Sequence, residues 1–340
     1  MKFCICGGGT GGHLMIARSL VDSAVKEGDE AIFIGSTNGQ DRRYFEHNSS
    51  FSHVYFLETL GVVNKRGLGK IRSLWLLAKA IFKARKLLQK HAVKAVYSVG
   101  GFSAAPAAIG ALISGIPLFI HEQNAAHGKL NSILRPFAKR YICAYEDSSP
   151  IKGYPVEEVL FQKARVRDEI KSIIFLGGSQ GAKAINDLAL GVACEVAKRG
   201  IKIIHQAGEK DYERVVQGYK DLRVDAVVVG FSNDLATLIS HADLAISRSG
   251  ASTLWELCAN GLPALFIPYP HAAADHQFYN AQFIVKHNLG WCEREAEGLD
   301  AKLLALLDEK LEKKSRALMH YSKKGVAKAM IDDMKRVVNG

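Results

Sequence analysis

The 340-residue sequence has no Asp-x-Asp pair, no Gly-Lys-Ser/Thr after either of its glycine-rich stretches, and no two cysteines at zinc-site or thioredoxin-like spacing. Each absence excludes something. Without Asp-x-Asp there is no ready carboxylate clamp for a divalent ion on a diphosphate, so metal-independent chemistry without a cofactor is expected. Without Gly-Lys-Ser/Thr the nucleotide-triphosphate loop is excluded. The six cysteines lie at 4, 6, 143, 194, 258 and 292. Cys4 and Cys6 alternate along an apolar strand and are expected in a core, and free thiols fit a reducing compartment. Positions 96–120 carry no charge, but Gly100, Gly101, Pro106, Gly110, Gly115 and Pro117 punctuate them. That pattern predicts strand, turn, short helix and strand rather than a membrane span. The N-terminus passes directly from an apolar strand into glycines, which is not a secretory signal pattern.

What is present is a folded composition, 48% hydrophobic and 23% charged, at a length suited to two domains. The net charge of +11 calls for an anionic partner: nucleic acid, a membrane surface or a phosphorylated substrate. Short β-rich runs alternate with helix-length amphipathic stretches, the pattern of parallel sheets covered by helices. Strands are expected at 2–6, 31–34, 53–56, 95–99, 118–120 and 141–143, then at 172–176, 201–205, 226–229, 244–247, 264–267 and 290–292. Long helices are expected over 71–90 and from 301 to the C-terminus. The two halves open alike, each with a strand, a glycine turn and a helix, so two similar sheets are expected. Pro150, Gly153 and Pro155 break the pattern between them. The expected division is 1–153, 154–325, and a helix over 326–340 that returns to the first domain.

Gly7-Gly8-Gly9-Thr10-Gly11-Gly12 and Gly177-Gly178-Ser179-Gln180-Gly181-Ala182 both read as turns that aim backbone N–H groups, and a helix N-terminus, at a phosphate. The first even satisfies the dinucleotide fingerprint. That reading also requires an acid at the end of strand two to hold a ribose, and Ile34-Gly35-Ser36-Thr37 offers none. His13 follows the first turn at a helix start, where the dipole favours the neutral imidazole that a general base needs; a helix-capping role is the bland alternative.

Further chemistry gathers at strand ends. His121-Glu122-Gln123-Asn124 closes one strand, with His121 the residue best suited to be a satisfied structural group. After the strand at 244–247 come Ser249, Gly250, Ala251, Ser252 and Thr253, a helix start offering hydroxyls and N–H groups, and Glu256 one turn in, placed to accept from a ribose diol. Asp275 and Gln277 suit sugar hydroxyls.

Taken in order, Gly7 to His13, Gly100-Gly101-Phe102, His121 to Asn124, Gly177 to Ala182, and Ser249 to Glu256 closely resemble the bacterial peptidoglycan N-acetylglucosaminyltransferases that make lipid II. The resemblance covers nearly the whole chain. It implies two facing Rossmann-like domains of the GT-B type with a ligand cleft between them. It implies inverting transfer of N-acetylglucosamine from UDP-N-acetylglucosamine to the muramoyl sugar of lipid I, a polyprenyl-diphosphate acceptor, in peptidoglycan synthesis at the cytoplasmic face of the inner membrane. By motif match, Ser179 and Gln180 meet the diphosphate, Glu256 the ribose and Gln277 the donor sugar. Thr10, Gly11, Gly12 and Asn124 complete the donor pocket, His13 is the base, and Glu122 and Asn131 belong to the acceptor side. Two departures stand out. The linker reads Tyr154-Pro155-Val156-Glu157 where the family usually has Asn-Pro-Val-Arg, and Met15-Ile16 replace Phe-Pro after the first histidine.

No acid occurs from Thr59 to His121, against ten Lys or Arg. On the helix at 71–90, Arg72, Lys79, Lys83, Lys86 and Lys90 share a stripe flanked by Trp75, Leu76 and Phe82, with Leu74, Leu77, Ile81 and Leu88 expected to face the core. A basic stripe bordered by aromatics suits an anionic bilayer surface, with the chain as a peripheral protein; no nucleic-acid motif accompanies it. Two other functions fit parts of the pattern: a UDP-N-acetylglucosamine 2-epimerase, which needs no acceptor, and a non-catalytic nucleotide-sugar-binding subunit.

Overall fold

The computed structural model describes residues 1–59, 68–178, 181–232 and 234–340. The chain forms two compact units, one of residues 1–156 with 325–340 and one of residues 157–324. The first contains β1 (Lys2–Cys6), α1 (Gly11–Lys26), β2 (Glu30–Ser36), α2 (Asp41–Phe45), β3 (His53–Leu57), α3 (Leu68–Lys90), β4 (Val96–Ser98), α4 (Ala105–Ile113), β5 (Leu118–Glu122), α5 (Lys129–Leu134) and β6 (Arg140–Cys143). The second contains α6 (Glu158–Gln162), β7 (Ser172–Leu176), α7 (Lys183–Lys198), β8 (Lys202–Gln206), α8 (Tyr212–Asp221), β9 (Ala226–Val229), α9 (Leu235–Ser240), β10 (Leu244–Ser247), α10 (Ala251–Asn260), β11 (Ala264–Phe266), α11 (His276–Lys286), β12 (Trp291–Cys292), α12 (Leu299–Leu306) and α13 (Glu312–Tyr321). α14 (Val326–Asn339) belongs to the first unit again and packs on α1.

Each sheet has six strands, all parallel, in the orders β3-β2-β1-β4-β5-β6 and β12-β11-β10-β7-β8-β9. Written from their own first strands, both are 3-2-1-4-5-6, the doubly wound Rossmann order. The two-domain α/β reading therefore holds, strand for strand. Helices cover both faces, so central strands are apolar throughout rather than alternating: Phe3 to Cys6 and Ser172 to Leu176 are buried without interruption. The chain leaves β1 and β4 in opposite directions, as it does β7 and β10. The carboxyl ends of those strand pairs are the switch points where such folds bind ligands.

Two helical expectations need correction. The stretch after 301 is not one helix. It breaks into α12, α13 and α14, the last break marked by Gly325 in the left-handed region. On α3, Leu76 is buried and Leu74 is 48% exposed, the reverse of the expected assignment. The buried edge is Ser73, Leu76, Ala80, Ala84 and Leu88, the i, i+3/i+4 stripe that small residues allow to lie close against α4. The charge-free stretch 96–120 folds as β4, a turn, α4 and most of β5, and among the described residues no helix is long and apolar enough to cross a membrane.

A buried arginine holds the second unit together. Arg167 is fully enclosed and donates to the carbonyls of Ala242, Arg165 and Asn260 and to the Asn260 side chain. Burial, with Arg165 nearby, pushes its pKa down to about 9, and Asp243 opposes the shift.

Candidate functional site

In the first unit the switch point is built from two interlocked glycine turns. A β-carbon on Gly7 would fall 2.3 Å from the Gly100 carbonyl oxygen, and one on Gly101 would fall 2.2 Å from that of Gly8, so both turns are glycine by steric necessity. Two of the N–H groups in the first turn are already taken. Gly8 N–H donates to Gly100 O at 3.1 Å, and Gly9 N–H to the Asp41 carboxylate at 2.5 Å. Past Gly9 the turn runs through Thr10 into Gly11 and Gly12, where α1 starts.

His13 sits in the first turn of α1. Its Nδ1 lies 2.9 Å from Thr10 Oγ1 and 3.5 Å from Gln123 Nε2. Its Nε2 reaches over Gly100: a β-carbon there would lie 3.2 Å from His13 Nε2 and 3.2 Å from Asn131 Nδ2. The carboxyl ends of β1, β4 and β5 thus bring His13, Gly100 and Asn131 around one small space.

Glu122 is buried and saturated from within. Oε1 accepts from Asn124 N–H at 3.0 Å, and Oε2 accepts from Gly128 N–H at 3.0 Å and Asn131 Nδ2 at 2.8 Å. It shapes the 124–131 loop and fixes the Asn131 amide, whose Oδ1 is buried without a partner. Asn124 is half-buried at the start of this loop. The expectation that His121 is a satisfied group fails. It is wholly buried against Tyr154, neither ring nitrogen has a hydrogen-bond partner among the described residues, and burial together with the nearby His13 pushes its pKa down to about 3, so it is neutral. Farther along the loop, His127, Cys143 and Glu146 place one ligand atom each within 4.8 Å of the others. Arg135 already holds both Glu146 oxygens, at 2.9 Å each, so this group is charge-balanced as it stands.

In the second unit, Gly178 and Gly181 turn with positive φ into α7, and Gly181 N–H closes the turn on Gly178 O at 3.2 Å. Ser179 and Gln180, expected on the diphosphate, lie outside the described residues. After β10, Gly250 caps α10 with extended backbone. Ser249 is fully buried, and among the described residues its hydroxyl has no partner. Ala251 is also buried, whereas Ser252 and Thr253 are part-exposed. Glu256 is part-exposed on α10, and desolvation followed by repulsion from Glu157 pushes its carboxyl up to about 7. Gln277 Oε1 accepts from Tyr269 N–H at 2.9 Å and so orders the 268–277 loop, while Asp275 pairs with Arg294 at 2.7 Å.

Residues 3–143 match the glycosyltransferase family 28 N-terminal domain, and residues 172–334 match the glycosyltransferase family 28 C-terminal domain. The chain belongs to glycosyltransferase family 28. This family 28 chain is 64% identical over 339 residues, covering 100% of both, to the UDP-N-acetylglucosamine--N-acetylmuramyl-(pentapeptide) pyrophosphoryl-undecaprenol N-acetylglucosamine transferase of Sulfurimonas denitrificans. It is 52% identical to the protein of the same name from Wolinella succinogenes, covering 98% of this chain and 99% of that one. The crystal structure of Acinetobacter baumannii MurG superposes with a TM-score of 0.82 at 26% identity, over 98% of this chain and 99% of that one.

Sequence reasoning missed Asp41, Arg167 and the partnerless state of His121. Asp41 lies five residues beyond the end of β2, past the position where the dinucleotide fingerprint would place an acid.

Proposed function

We propose that this enzyme transfers N-acetylglucosamine from UDP-N-acetylglucosamine to the muramoyl sugar of an undecaprenyl-diphosphate-linked muramoyl-pentapeptide, with inversion. The observation that carries the reading is His13 at the first switch point, its Nε2 facing the same space as Asn131, in a chain 64% identical to a transferase of that name. In the tautomer whose Nδ1–H donates to Thr10 Oγ1, Nε2 carries the lone pair that would take the acceptor hydroxyl proton. The acceptor oxygen then bonds the anomeric carbon while the bond to UDP breaks. Negative charge grows on the diphosphate, and the N-termini of α7 and α10 are placed to stabilise it. Glu256 takes the ribose and Gln277 the sugar, in the second unit. Asn131, held by Glu122, orients the acceptor in the first.

The α3 surface supports a peripheral seat on an anionic bilayer, at the cytoplasmic face. Ile71, Trp75 and Phe82 are 64%, 62% and 60% exposed, and Arg72, Lys79, Lys83 and Lys86 lie exposed beside them, with the Lys79 ammonium over the Trp75 ring. That is where a polyprenyl acceptor resides.

The decisive experiment measures UDP release from UDP-N-acetylglucosamine with and without a lipid I analogue. Release only with acceptor is expected. None with a competent acceptor sinks the reading, and consumption of donor alone would point to the epimerase.

A further inference from the structure

Asp41 opens α2, is fully buried, and divides its two oxygens between backbone amides of different elements. Oδ1 accepts from Gly9 N–H at 2.5 Å, and Oδ2 from Ser36 N–H at 2.8 Å, where β2 ends. Glycines make the room: a β-carbon on Gly8 would fall 2.5 Å from Oδ1, and one on Gly35 would fall 2.7 Å from Oδ2. Such a carboxylate is costly to bury and is tolerated because both oxygens are bonded. Desolvation raises its pKa, opposed by these two amides. The residue after Gly9 is Thr10, whose extended backbone begins α1 and whose hydroxyl meets His13 Nδ1. Whatever fixes the Gly9 peptide plane fixes where α1 starts and how the His13 ring is held.

We infer that Asp41 is a positioning residue for the transfer: by gripping Gly9 N–H it sets the Thr10–His13 unit in the attitude that lets His13 Nε2 meet the acceptor hydroxyl. The inference rests on the reading of His13 as the base. It assigns Asp41 no contact with substrate. Loosening the turn moves the imidazole, and misplacement on the order of 1 Å costs about 100-fold in rate.

The test is a cycle of Asp41→Asn, His13→Ala and the double variant, assayed with UDP-N-acetylglucosamine and a soluble lipid I analogue. Asparagine keeps the shape but turns an N–H toward one of the two amides. The expected result for Asp41→Asn is a fall in kcat of about 10- to 100-fold with donor KM within about twofold. In the His13→Ala background the same change should alter kcat less than about twofold, because the group it positions is gone. Wild-type kcat with only a lowered melting temperature overturns the inference, as does a full-sized loss on top of His13→Ala. His13→Ala with wild-type kcat overturns the base assignment itself and is a distinct result. Should Asp41→Asn fail to fold, replacing the Gly9 amide N–H by an ester oxygen deletes the donor alone, and the same kcat loss is expected.

Discussion

The two sheets share one strand order, yet their switch points are made of different material. In the first unit the glycine turn after β1 is tied down by other segments: Gly8 and Gly9 bond to Gly100 and Asp41, and His13 and Asn131 stand around the space over Gly100. His13 is the side chain there that can exchange a proton. In the second unit the helix starts of α7 and α10 dominate, with part-exposed Ser252 and Thr253, and the titratable group is Glu256, one turn away. On the proposed reading, one fold, repeated, supplies proton chemistry in one copy and anion reception in the other. Topology sets the place, and only the residues at that place set the chemistry.

The strongest way to break this comparison is His13→Ala. If the first site handles the proton, kcat falls by about 10²- to 10⁴-fold while donor KM holds, as steady-state kinetics would read. A collapse of donor binding instead would move His13 to the donor side. Next in size is the membrane face. Lys79, Lys83 and Lys86 to alanine together should weaken sedimentation with anionic vesicles by about 100-fold, at about 1 kcal/mol per lysine, and leave turnover of a soluble acceptor unchanged. Equal binding to neutral vesicles would refute the electrostatic part.

Glu256→Ala should raise donor KM about 10- to 100-fold, the worth of hydrogen bonds to a charged acceptor, with a smaller change in kcat. The finest test is pH. The Glu256 carboxyl sits at about 7, and only its ionised form has both oxygens free to accept from the ribose hydroxyls. Donor KM should therefore rise as pH falls from 8 to 6. Glu157→Gln removes the repulsion but not the larger desolvation, so the midpoint should move down part of the way and donor KM at pH 6 should improve a few-fold. An unshifted profile would show that Glu157 leaves Glu256 unaffected.

Much of this architecture is legible in the residues. Every expected strand is present, because parallel strands buried on both faces leave continuous apolar runs that need no tertiary information to find. The glycine turns are legible for the same reason: only steric necessity places so many glycines at a strand end. Which way their N–H groups point is not legible, since that depends on Asp41 and Gly100 arriving from elsewhere in the chain. The exchange of Leu74 and Leu76 on α3 has a similar cause. Both fit a helical stripe, and the choice belongs to the neighbouring helix α4. His121 misled because a polar residue inside an apolar strand ordinarily finds a partner, and here its ring faces Tyr154 instead.

The return of α14 carries a consequence for how the molecule is made. Val326, Met330, Ile331 and Met334 are buried in a unit that otherwise ends at Val156, and the N-terminal ammonium shares Asp29 with Lys335. During synthesis the α1 surface stays uncovered until α14 has been made. The first unit therefore cannot be completed until residues 325–340 have been made, and a chain that stops short of Gly325 leaves an apolar helix face bare for chaperones or other chains to find.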